Sequence, residues 1–132
     1  MRFEFSTATQ IVFGSGTLRE AGKLARPWGR RALVVTGSSV DRAQGLLKTL
    51  EAEGIVATTF SILHEPSVDT VLKGLTAARE AGAEMVIGFG GGSVIDTAKA
   101  LAGLLTNPGE PLDYLEVVGA GKPLVHPALR TR

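Results

Sequence analysis

The stretch MVIGFGGGSVIDTAKA, Met85 to Ala100, limits what this chain can become more than any other. Met85, Val86, Ile87 and Phe89 make a short apolar run with the length and composition of a strand buried on both faces. Gly90, Gly91 and Gly92 follow, where the backbone can approach a ligand because no Cβ intervenes. Ser93 is placed as a helix N-cap, and Asp96 three residues on predicts a Ser-x-x-Asp variant of the capping box. From Val94 the pattern is helical, with Ile95, Ala98, Leu101, Ala102 and Leu105 on one stripe. The free amides and positive dipole end of such a helix suit a phosphate. The spacing is not G-x-G-x-x-G, because Ser93 stands where the last glycine would fall. Taken alone, the segment also fits an ordinary tight turn with a cap.

The rest of the chain supplies partners for that strand. Phe3 and Phe5 alternate with Arg2 and Glu4, and Gln10 to Phe13 reads as a second strand, so an N-terminal edge hairpin is expected. Gly14-Ser15-Gly16 closes it as a turn in preference to a ligand contact, and Thr17 is expected to cap a helix ending near Arg26-Pro27. Ala32 to Thr36 is a second continuous apolar strand, followed by the turn Gly37-Ser38-Ser39 and a helix over about Val40 to Glu53. A third strand spans about Val56 to Leu63, and a helix over Val68 to Ala81 buries Val71, Leu72, Leu75 and Ala78. Strand and helix thus alternate, which predicts an α/β fold with a parallel sheet covered on both faces. Ligands of such sheets lie beyond the carboxyl ends of the strands, where both glycine turns fall. Past Thr106 the pattern fades. Asn107-Pro108-Gly109 reads as a turn, Leu112 to Val118 as a short helix and residues 119–123 as a loop.

Composition narrows the partners. A chain of 132 residues with 44% apolar residues has the length and content of one packed domain. A net charge of +1, with no block of like charge, gives no reason to expect nucleic acid or an anionic membrane. Cysteine is absent, so no disulfide framework or thiolate metal site exists, and no signal peptide or membrane span is read; a cytoplasmic location is the expectation. Gly121-Lys122 is not a P-loop, since Glu116 replaces its first glycine and Pro123 its magnesium-binding hydroxyl. His64 and His126 form no i, i+4 pair with another ligand, so neither is assigned to a metal, and no catalytic residue is assigned.

Gly90-Gly91-Gly92-Ser93-Val94-Ile95-Asp96-Thr97-Ala98-Lys99 resembles the G-G-G-S-x-x-D-x-A-K signature of the iron-containing (group III) alcohol dehydrogenase family. Ile11 to Gly16, Ala32 to Thr36 and Glu65-Pro66-Ser67 resemble its early strand and turn, its first nucleotide-binding strand and a shortened form of its Pro-rich loop. The resemblance runs to about Lys122. It implies a Rossmann-like sheet and an N-terminal NAD(P)-binding domain: residues 1–30 as edge strands and first helix, 31–106 as the nucleotide-binding core, 107–132 as an irregular end. Gly91, Gly92 and Ser93 would then cradle a pyrophosphate. Asp96 would brace the turn or stand near the cofactor, and Lys99 reads as a solvated or helix-bracing lysine.

Gly37, Ser38 and Ser39 would take the adenosine end. Family members that use NAD carry an acidic residue where this chain has Gly37, so the turn, with Arg42 nearby, favours NADP over NAD. The resemblance further implies metal-assisted interconversion of an alcohol with an aldehyde or ketone, in a homo-oligomer when complete. Iron or zinc would be held by a following helical domain whose ligands are not in this chain. The sequence after Pro123 departs from the family, and the chain is expected to be a truncated half without activity of its own. A glycerol or glycerol-phosphate dehydrogenase relative is one alternative, and a non-catalytic nucleotide-binding module or an inert truncated fragment is the other.

Overall fold

The structure, a computed structural model, describes residues 10–115 and 119–131. Four strands form one parallel sheet in the order β2-β1-β3-β4: β1 (Arg31–Thr36), β2 (Val56–Ser61), β3 (Met85–Phe89) and β4 (Arg130–Thr131). The helices are α1 (Ala21–Ala25), α2 (Gln44–Ala52), α3 (Val68–Glu80), α4 (Gly92–Leu105) and α5 (Pro111–Tyr114). Short 3₁₀ turns at Thr17–Glu20, Arg26–Trp28 and Val40–Ala43 lead into or out of them.

The continuous apolar runs have a direct physical reason. Successive side chains of a strand point to opposite faces. In β1, Ala32 and Val34 enter one core with Leu46 and Leu50 of α2, while Leu33 and Val35 enter the other with Leu75 of α3 and Leu101 of α4. In β3, Met85 and Ile87 join the first core and Val86 the second. With apolar packing on both sides, polar alternation would bury unpaired groups, so polar side chains are kept to the ends of β1, where buried Thr36 pairs its hydroxyl with that of Ser61 at 3.0 Å. β2 is at the sheet edge and fully buries none of its residues, exposing Val56, Thr58, Thr59 and Ser61.

Three expectations need correction. Gln10–Phe13 forms no strand, and Phe13 is 98% exposed. A strand exists through its ladder, and no described strand reaches these residues; the matching segment around Phe3 and Phe5 lies outside the described residues. Leu72 and Ile95, expected inward, are exposed at the margins of their helices' buried stripes, where Gly74 and Thr97 are buried instead. Thr17 does not cap: it sits inside the 3₁₀ turn, and its hydroxyl donates to the Gly14 carbonyl at 3.0 Å.

The region after Thr106 is also more ordered than its sequence predicts. Asn107, 2% exposed, donates through Nδ2 to the carbonyls of Gly103 (2.7 Å) and His126 (3.0 Å). Its Oδ1 accepts from the amides of Val125 (2.8 Å) and His126 (2.9 Å). The amide of Leu129 donates to the Ala102 carbonyl at 2.9 Å, which leads the chain to β4 beside Met85 and Val86. The expected helix shortens to α5, and residues 116–118 lie outside the described residues.

Candidate functional site

Strand β1 connects through α2 to β2 on one side, and the chain then crosses through α3 to β3 on the other side of β1. The crevice between the carboxyl ends of β1 and β3 is therefore a topological switch point, where open α/β sheets bind ligands. Thr36 and Phe89, the last residues of these strands, are paired in register. The turns that follow them open into one cavity of about 380 Å³, within the ~300–1,000 Å³ range of small-molecule sites.

Gly37, Ser38, Gly91, Gly92 and Ser93 line that cavity. Ser39 and Asp96 do not. Ser39 lies before the 3₁₀ turn, its carbonyl accepting from the Arg42 amide at 3.3 Å, and Asp96 lines a separate apolar cavity beside Lys99, Val71 and Tyr114. Five of the seven expected residues are thus together and two stand apart. The cavity also holds Ile62, Leu63, His64 and Glu65, none of them anticipated as site residues. They follow β2 at the same sheet edge, so the rule that placed the two glycine turns there could also have found them.

The four glycines around the end of β3 do different work. A Cβ at Gly88 would lie 3.0 Å from the Ala98 Cβ, and one at Gly90 would lie 2.6 Å from Val94 Cγ2. Both are needed to seat α4 against β3. A Cβ at Gly91 or Gly92 would meet no protein atom within 4 Å. Packing does not require glycine at these two positions, and a side chain there would project into open space beside the cavity. That is the signature of a backbone cleared for a ligand.

Ser93 is not the N-cap of α4. Gly91 is, in extended backbone (φ −80°, ψ −168°), with its carbonyl accepting from the amides of Val94 and Ile95, both at 3.1 Å. Starting the helix two residues earlier prevents the expected Ser93–Asp96 box, because Ser93 already lies within the first turn. Its hydroxyl donates instead across the cavity to Glu65 Oε1 at 2.7 Å. The first-turn amides of Gly92 and Ser93 have no intrahelical acceptor, so they remain as donors at the positive end of a helix from Gly92 to Leu105. Below them, buried Thr97 donates to the Ser93 carbonyl at 2.7 Å and fixes the turn from within.

A nicotinamide dinucleotide fits this donor set: open glycines, helix-end amides and hydroxyl-bearing turns at a switch point. Iron does not, since the described residues contain no group of three or more His, Cys, Asp or Glu side chains able to hold a metal. No helix of the described residues is long and apolar enough to cross a membrane.

Fold and cavity define a Rossmann-like α/β unit with an open crevice at its switch point. The family model for iron-containing alcohol dehydrogenases matches residues 8–131, and the chain belongs to that family. It is 34% identical over 118 residues to NADH-dependent butanol dehydrogenase B of Clostridium acetobutylicum, covering 86% of this chain and 30% of that one. It is 37% identical over 119 residues to sulfoacetaldehyde reductase of Bilophila wadsworthia, with the same coverage of 86% and 30%. Among solved structures, sulfoacetaldehyde reductase from Bifidobacterium kashiwanohense in complex with NAD+ superposes with a TM-score of 0.84 at 25% identity, over 99% of this chain and 35% of that one. The chain thus spans about 30% of the length of the curated relatives it matches.

Proposed function

We propose that residues 1–132 are the NAD(P)-binding part of a metal-dependent oxidoreductase that interconverts an alcohol with an aldehyde or ketone. The observation that carries this reading is the pair of glycines, Gly91 and Gly92, whose freedom from packing coincides with free helix-end amides at the sheet's switch point. The amides of Gly92 and Ser93 bind the pyrophosphate, and Gly37 and Ser38 receive the adenosine end. Ser39 and Asp96 act at the margin of the site, Asp96 from the neighbouring cavity. When bound, the nicotinamide supplies the hydride acceptor and donor. The chain's own part is to bind and orient that cofactor. The family's metal and the substrate pocket belong to residues other than those described.

Two features bear on the cofactor. A Cβ at Gly37 would meet nothing within 4 Å, so the turn leaves room for a 2′-phosphate and offers no carboxylate of its own against NADP. The similar butanol dehydrogenase is named for NADH, and the similar reductase structure holds NAD+, which supports NAD. Both nucleotides are therefore to be tested. Calorimetric titration with NADH and NADPH is expected to show saturable binding of at least one. A Gly37→Asp variant should weaken NADPH by about tenfold while sparing NADH, through repulsion of the 2′-phosphate. A folded protein that binds neither nucleotide overturns the reading.

A further inference from the structure

The hydroxyl of Ser93, which lines the same cavity, donates to Glu65 at 2.7 Å. Glu65 reaches it from the loop after β2, so the contact spans the cavity between the second strand's exit and the third strand's. A carboxylate thus stands at the rim of a cradle otherwise built of backbone donors and hydroxyls. Within the cavity lining it is the one acidic residue, and no lysine or arginine lines the cavity with it. Among the described residues the ion pairs are Arg31–Glu84, Lys73–Asp69 and Lys122–Asp113, and Glu65 takes part in none of them.

We propose that Glu65 is a specificity-determining residue of the dinucleotide site, selecting NAD(H) against NADP(H). This rests on the nucleotide reading above and deepens it. NADP(H) differs from NAD(H) by one phosphate group, about two further negative charges near neutral pH. An uncompensated carboxylate in the same cavity raises the free energy of every bound anion, and it penalises the more highly charged cofactor more. The Ser93 hydroxyl holds the carboxylate in place and is thereby withdrawn from phosphate binding, which leaves the Gly92 and Ser93 amides as the cradle's donors. The turn at Gly37, which carries no acid, does not then leave the site indifferent to a 2′-phosphate. The acid comes from the next loop.

The test is nucleotide affinity in Glu65→Gln and Glu65→Asp beside the unsubstituted protein, with NADH and NADPH as probes at low and high salt. Glu65→Gln is expected to raise NADPH affinity by about three- to tenfold, the range for charges separated across a largely aqueous cavity. NADH affinity should rise as well, because its pyrophosphate meets the same carboxylate, but by less than that of NADPH, which adds the 2′-phosphate. Glu65→Asp keeps the charge and should keep the preference, while added salt should narrow it in the unsubstituted protein and leave Glu65→Gln unaffected. An NADH-to-NADPH affinity ratio that is the same in Glu65→Gln and the unsubstituted protein overturns the proposal. If NADH binds but the ratio does not move, Glu65 alone is wrong; if neither nucleotide binds any of the three folded proteins, the dinucleotide reading fails and Glu65's role with it.

Discussion

An added Cβ at Gly90 would stand 2.6 Å from Val94 Cγ2, whereas at Gly91 it would meet no atom within 4 Å. Adjacent glycines therefore differ in what they serve. Val94 is β-branched, buried and fixed in the first turn of α4, so it has little freedom to yield. Gly90→Ala should destabilise the fold by about 1–3 kcal/mol, the usual range for overpacking, read as a lower midpoint in urea. Gly91→Ala should leave that midpoint within about 0.5 kcal/mol, because its backbone is in a region open to any residue. It should nevertheless weaken nucleotide binding by about tenfold through loss of close backbone approach. Equal destabilisation by the two substitutions would contradict this division. The sequence presents Gly90-Gly91-Gly92 as one run, and nothing in their order separates a packing glycine from a ligand glycine.

Polar side chains away from the cavity also tie elements together, notably Asn107 and Glu84. Asn107 joins the end of α4 to the segment that leads to β4, and its side chain is buried with every polar atom engaged. Asn107→Ala should cost about 2–3 kcal/mol, since the amides of Val125 and His126 and two carbonyls lose a partner at once. Hydrogen exchange should accelerate at Val125, His126 and Leu129 first. Protection unchanged there would show that β4 is held by other contacts. At the amino ends of the central strands β1 and β3, Glu84 accepts from the amides of Arg30 (2.6 Å) and Arg31 (3.1 Å) and from the Arg31 guanidinium (2.8 Å). The Arg30 amide, then the Arg31 amide, hold its carboxyl below the ordinary carboxylate range despite opposing desolvation, with the charge of Arg31 adding to the effect. A depressed folded pKa means stability present above the ordinary carboxylate pKa and lost as pH falls through the folded value. Melting temperature should therefore fall less steeply on acidification in Glu84→Gln than in the unsubstituted protein, and parallel acid limbs would contradict the assignment.

Across the whole molecule the sheet is covered on both faces, but several large apolar side chains are left in solvent. Phe13 is 98% exposed, Ile11 73% and Leu63 71%. Ile11 and Phe13 lie beside Val12, which lines an apolar cavity with Leu18, Leu24 and Ile87. A chain spanning about 30% of its relatives' length and carrying such a patch should associate. Light scattering of the 132-residue chain is expected to show a mass that rises with concentration and falls back toward the monomer when Ile11 and Phe13 are both changed to Ser. A monomer at every concentration would mean that the exposed residues are tolerated without a partner.

Periodicity and turn chemistry were enough to determine the alternation of strand and helix, the double-faced burial of β1 and β3, and the arrival of two glycine turns at one sheet edge. These are local properties: a strand buried on both faces is apolar along its centre, and glycines directly after such a strand mark a turn. The family signature lay in the same local pattern, and it led to the matching family. Three-dimensional packing alone decided the rest. It started α4 at Gly92, because the Gly91 carbonyl could serve Val94 and Ile95. It turned Ser93 toward Glu65, removed Asp96 and Ser39 from the cavity lining, and gave Asn107 three backbone partners in the remote segment at Val125 and His126. The Ser93 and Asn107 outcomes depend on groups far apart in the chain, separated by 28 residues in the case of Ser93 and Glu65. A side chain's local preference cannot specify which of several distant partners the fold will bring within hydrogen-bonding reach.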